Sequence, residues 1–193
     1  TPEAQAIASL LRDYAPAVVA DAHEYPAVGA YLAKFGGVAR ADVLLQYATA
    51  PQVHEFVTRA AEEWFRRPLL DRLQGAGLSS DWYHTLSTAP EDRRVAMGGP
   101  RPDVGRNAVG LRHAVSLLVE TRGSDLGRTH LARRVHTQVV AMRSILDSAS
   151  ARADDLLRLR RFVDTETIAQ ACGGEATLEA AATPSEYVLR LID

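Results

Sequence analysis

Thr1 followed by Pro2 reads as a helix start. A threonine side chain can accept from a first-turn N–H, and proline at the first helical position lacks only a donor that has no partner there. Ile7, Leu10, Leu11 and Tyr14 then recur at helical spacing, so residues 2–14 predict an amphipathic helix. After Pro16, the run Ala17-Val18-Val19-Ala20-Asp21-Ala22-His23 is too continuous for a half-exposed strand and has the length of a buried one. Val43-Leu44-Leu45-Gln46-Tyr47 predicts a second strand, and Pro51 opens a helix to about Leu73, closed by Gly75 and Gly77. Trp82 to Leu86 and Arg94 to Met97 read as weaker strands, and residues 98–107, rich in Gly and Pro, as loop. Ala114 to Glu120 repeats the buried-strand pattern and ends, like the first, on one ionisable residue. A helix over roughly 128–149 places Leu131, Val135, Val139, Met142 and Ile145 on one face, read as core packing, and residues 151–171 predict another.

Strands alternating with helices predict an α/β sheet covered on both faces, and such sheets bind ligands at the carboxyl ends of their strands. His23 and Glu120 fall at such ends. Length sets the scale: 193 residues fit one domain with a substantial core, without repeats or low-complexity segments. A hydrophobic share of 47% and a charged share of 24% are those of an ordinary globular chain. The net charge of −2 gives no electrostatic case for a nucleic-acid or anionic-membrane partner, and no apolar run is long enough to span a bilayer. The one cysteine, Cys172, excludes an intramolecular disulfide and any cysteine-rich metal site. No charged segment followed by an apolar core is seen at Thr1, which suits either a processed chain or a piece of something longer, and leaves a cytoplasmic, periplasmic or secreted location open.

Several local motifs fail on a specific residue. Gly105 to Gly110 has the glycine spacing of a phosphate loop, but Leu111 and Arg112 stand where Lys and Ser or Thr are required. Gly123-Ser124-Asp125-Leu126-Gly127 places its serine one position early for a nucleophile elbow. None of the six histidines (23, 54, 84, 113, 130 and 136) opens an H-x-x-E or H-x-x-x-H pair. What remains is Asp21-Ala22-His23-Glu24-Tyr25 and Ser116-Leu117-Leu118-Val119-Glu120-Thr121-Arg122-Gly123.

With Pro2-Glu3-Ala4-Gln5-Ala6 leading into the first helix, these segments resemble, in order, the C-terminal half of the zinc carboxypeptidase (metallocarboxypeptidase) family, over residues 1 to about 145. The resemblance implies a mixed, mostly parallel sheet with helices on both faces. It places residues 1–172 in the C-terminal portion of such a domain and leaves 173–193 as a poorly specified tail. It implies zinc as cofactor, His23 as a zinc ligand and Glu120 as the general base, acting on a C-terminal amide bond of a peptide or peptide-like substrate. The bland alternatives are a hydrogen-bonded core histidine, and an ion pair of Glu120 with Arg122 or Arg128. Asp21, on the strand face of His23, either orients the imidazole with Arg122 nearby or caps a neighbouring element. Arg106 lies where the family carries a mobile substrate-binding tyrosine, and with no tyrosine there, Arg106 or Tyr83 is the candidate for a substrate carboxylate; a plain surface loop is the alternative for both. The family's other zinc ligands, in an H-x-x-E motif, and its N-R segment lie upstream, so the chain resembles half an active site, with the N-terminal half of the domain as its implied partner. Deacylation of N-acyl amino acids, and a non-catalytic binding domain that kept the fold, are the competing functions.

Overall fold

The computed structural model describes residues 1–181 and 183–192. Helix α1 (Pro2–Tyr14) starts on the Thr1 cap and leads into strand β1 (Val18–Tyr25). A short helix α2 (Gly29–Phe35), strand β2 (Val38–Ala39) and strand β3 (Val43–Tyr47) follow. Helix α3 (Glu55–Ala60), a π-helical turn (Ala61–Arg66) and helix α4 (Arg67–Gly75) form one continuous rod. The widened turn lies just before Pro68, which has no N–H for an α-helical ladder. Then come β4 (Ser80–Trp82), β5 (Thr85–Leu86), β6 (Val95–Ala96), α5 (Gly105–Gly110), β7 (Val115–Arg122), α6 (Leu131–Ala151), α7 (Ala153–Gln170) and β8 (Leu191–Ile192).

The main sheet has the order β1-β7-β3-β4, with β1 and β7 parallel, β3 and β4 parallel, and β3 antiparallel to β7. It is a mixed, mostly parallel α/β sheet. Alternation divides its side chains. Val43, Leu45, Val115, Leu117 and Val119 enter the main core with Phe65, Leu69 and Leu73 of the long rod and Ala141 and Ile145 of α6. On the other face Leu44 joins a smaller core with Tyr25 and Tyr31, under α2. That second face also carries Asp21, His23 and Glu120.

The loops leaving β1 and β7 are tied together. Gly123 N–H donates to the Tyr25 carbonyl at 2.9 Å, and the Asp125 carboxylate accepts from the N–H groups of Ala27, Val28 and Gly29 at 2.9, 2.8 and 3.1 Å. This anion at the start of α2 suits the positive end of a helix.

Several expectations are corrected. The first strand is not buried: β1 is the edge of the sheet, and Ala20 to Glu24 are exposed because only β7 flanks it. In α6, Leu131, Val135 and Val139 stand 45%, 53% and 55% exposed, while Thr137, Ala141, Ser144 and Ile145 face the core. By the helical period Val135 and Val139 fall on the side of α6 away from those buried positions, so they point away from the sheet. The helix expected from Pro51 begins at Glu55, with His54 as its cap. Trp82 to Leu86 is divided between two sheets. The 98–107 loop turns helical at Gly105, so Arg106 is neither in a loop nor at the surface. Within the 173–193 segment the last strand pairs Leu191 and Ile192 with Ala39 and Val38; Ala182 and Asp193 lie outside the described residues.

Candidate active site

Parallel pairing sets His23 directly beside Glu120, and Asp21 beside Leu118, so Asp21 and His23 share a face with Glu120. The strands continue for two residues past this pair, to Tyr25 and Arg122. His23 Nε2 and Asp21 Oδ1 lie 2.8 Å apart. The carboxylate can only accept, so Nε2–H donates to it and the lone pair is left on Nδ1. A fixed tautomer of this kind is what a metal-binding imidazole requires.

Glu120 is half-buried and forms no ion pair with Arg122, Arg128 or any other described residue. Burial raises its pKa above the usual carboxylate range; His23 and Arg106 pull against that rise and Asp21 adds to it. Arg122 lies beyond Glu120 on the same strand face, its buried Nε without a hydrogen-bond partner among the described residues. Glu24 points to the other face and pairs with Arg134 of α6 at 2.6 Å.

Arg106 is 6% exposed. One Nη donates to the Gly99 carbonyl at 3.2 Å, Nε bonds to nothing among the described residues, and the guanidinium lies 5.6 Å from the centre of the Tyr83 ring. Burial lowers its pKa, against the attraction of Tyr83 and Glu120. Tyr83 is itself half-buried, and its pKa is raised by burial and by the negative field of Glu120. Arg106 and Tyr83 are thus in contact, and both feel the charge of Glu120, as does His23 on the neighbouring strand. A buried guanidinium with free donors suits a planar anion such as a carboxylate.

Two contributors were not read from the sequence. Asn107 is fully buried: its amide oxygen accepts from Thr49 and Ala50 N–H at 2.7 and 3.2 Å, and its NH₂ donates to the Gly99 and Arg101 carbonyls at 2.8 Å each. It staples the 99–101 segment to the end of β3 and so fixes Arg106. The adjacent Arg106-Asn107 pair was the available signal. Tyr31 comes from α2, which has no strong sequence pattern. Its hydroxyl donates to His84 Nε2 at 2.8 Å, since His84 Nδ1–H is directed to the Trp82 carbonyl at 2.9 Å. Burial first, and then Glu120, push the Tyr31 pKa up to about 12.

The chain is 29% identical over 165 residues to a probable carboxypeptidase 2 of Trichophyton verrucosum, a match covering 82% of this chain and 32% of that protein. It is 28% identical to the carboxypeptidase 2 of Trichophyton rubrum and to that of Trichophyton equinum, again over 82% of this chain and 31% of each relative. The similarity is thus to proteins named carboxypeptidase 2. It spans about a third of the length of those relatives. No protein-family model and no solved structure matches it.

A catalytic zinc needs three protein ligands. Among the described residues no group of three or more His, Cys, Asp and Glu side chains gathers. His23, with its available Nδ1, could offer one ligand at most, so the described side chains by themselves do not make a zinc site.

Proposed function

We propose that this chain is part of a zinc-dependent carboxypeptidase that hydrolyses the C-terminal amide bond of a peptide or peptide-like substrate. Residues 1–172 form the C-terminal portion of its catalytic domain. In this reading His23 is one zinc ligand, further ligands come from outside the chain, and Glu120 is the general base. The single observation that carries the reading is the in-register pair His23 and Glu120 on one face of adjacent parallel strands, the glutamate without an ion pair among the described residues. A half-buried carboxylate with a raised pKa is a better proton acceptor than an exposed one.

The chain's own residues have distinct tasks. Glu120 takes a proton from the attacking water on a carboxylate oxygen as the water oxygen adds to the scissile carbonyl carbon. The same proton passes to the amide nitrogen as the C–N bond breaks. Asp21 holds the His23 ring, and Arg106 with Tyr83 receives the substrate's terminal carboxylate. Arg122, two residues beyond Glu120 on the same strand face, forms no ion pair with it.

The test is Glu120→Gln in the polypeptide encoded by the whole gene, with bound zinc measured alongside turnover. Zinc content stays as in the parent while kcat falls by about 100- to 10,000-fold, the usual contribution of a positioned general base. A kcat within a few-fold of the parent at unchanged zinc content would falsify the assignment.

A further inference from the structure

Gln46 is a polar side chain buried to 5% exposure, and it takes no part in the site described above. In the register of β3 with β7, Leu44 stands opposite Glu120 and Gln46 opposite Leu118, so alternation puts the Gln46 side chain on the sheet face that carries Glu120. Its Oε1 accepts from the Tyr47 N–H at 3.0 Å. A backbone N–H can only donate, which fixes the amide with its oxygen toward Tyr47 and its NH₂ turned away. That NH₂ has no acceptor among the described residues. A buried donor left without a partner is costly, and a bound acceptor removes the cost.

The NH₂ shares its surroundings with Arg106. Gly98 has φ +62°, in the left-handed region that favours glycine. A β-carbon placed on it would stand 2.8 Å from an Arg106 Nη and 3.3 Å from Gln46 Nε2, so the bare α-carbon keeps open a space that both nitrogens border. The two nitrogens lie no farther apart than those distances combined, a gap that one carboxylate bridges with hydrogen bonds of about 2.9 Å. Both side chains offer N–H groups only, and Arg106 alone is charged. Together they suit a planar acceptor with a single negative charge.

We propose that Gln46 is a selectivity-determining residue: its NH₂ and the Arg106 guanidinium together seat a carboxylate of the substrate against Gly98. That this carboxylate is the C-terminal one rests on the hydrolytic reading above; the seat itself rests on the two buried donors.

Gln46→Glu in the whole-gene polypeptide tests the seat. The substitution keeps the length of the side chain and an oxygen for the Tyr47 N–H, while a negatively charged acceptor replaces the donor. One ligand is a dipeptide analogue with a free C-terminal carboxylate, its amide reduced to CH₂–NH so that it cannot be hydrolysed; the other is the same compound as its C-terminal carboxamide. In calorimetric titration the substitution weakens binding of the acid by about tenfold or more, the worth of a hydrogen bond to a charged group, and leaves the carboxamide within about threefold. Equal weakening of both, or no weakening of the acid, overturns the proposal. The parent protein supplies a measurement that needs no substitution to fold. The Gln46 side-chain NH₂ signals in proton–nitrogen correlation spectra shift on saturation with the acid, and signals that stay in place overturn the seat. A selective loss of acid binding in a protein whose Glu120→Gln variant keeps its kcat leaves the seat standing and ends the hydrolytic assignment; a non-selective loss in a protein whose Glu120→Gln variant loses its kcat does the reverse.

Discussion

Glu120 and Arg106 are both partly withdrawn from water, feel each other's opposite charge, and have no ion-pair partner among the described residues. Each leaves a signature in solution. A glutamate whose folded pKa is raised binds more protons folded than unfolded, so its contribution to stability falls as pH rises from the ordinary carboxylate pKa through the folded one. Glu120→Gln removes that penalty. Thermal unfolding of the variant should therefore match the parent in acid and gain on it toward neutral pH; a variant that loses ground as pH rises would mean that the carboxylate is stabilised by a partner. For Arg106, the planar fork is the property at stake. Arg106→Lys should reduce kcat/KM by at least about tenfold for substrates with a free C-terminal carboxylate and leave their amidated analogues nearly unchanged. Equal losses on both would assign Arg106 to structure.

Among the elements, β1, β3, β7, α1, α6 and α7 were legible because apolar runs and helical periods mark them, whatever they pack against. Burial was less legible. The run of β1 and the stripe of α6 look like core in sequence, and their exposure follows from where the sheet stops and from which side of α6 meets it, which no local pattern encodes. Helix α5 was missed because Gly, Pro and Asp dominate its approach and it is only six residues long. What holds it is tertiary: a Cβ on Gly110 would meet Ala48 Cβ at 2.4 Å, and Asn107 satisfies two N–H groups and two carbonyls around it. Asn107→Ala strands the amides of Thr49 and Ala50, at about 1–3 kcal/mol for each buried group left unmade. Chemical denaturation should show a loss of about 2–4 kcal/mol, with activity toward free-carboxylate substrates falling because Arg106 loses its support. A loss below about 0.5 kcal/mol would mean that water replaces the amide without cost.

For the whole molecule, His23 and Glu120 could be singled out from sequence because each closes an apolar run on an ionisable residue. Their adjacency could not, since it depends on a pairing across 97 positions of chain. The architecture also bounds metal binding. With one histidine on the site face and no cluster of three ligands among the described residues, the isolated 193-residue chain should show no tight one-to-one zinc site by calorimetric titration. A tight site that disappears in His23→Ala would show that the chain completes its own ligand set.

Asp125 gathers three amides at the start of α2 while Gly123 holds the Tyr25 carbonyl, so the exits of β1 and β7 are laced at their tips. A force on one exit is transmitted to the other, and the imidazole and the carboxylate travel as a single rigid floor. In the hydrolytic reading proposed above, room for a bulky substrate would then come from Tyr83 and the 99–101 segment, with the spacing of His23 and Glu120 insensitive to the size of what enters.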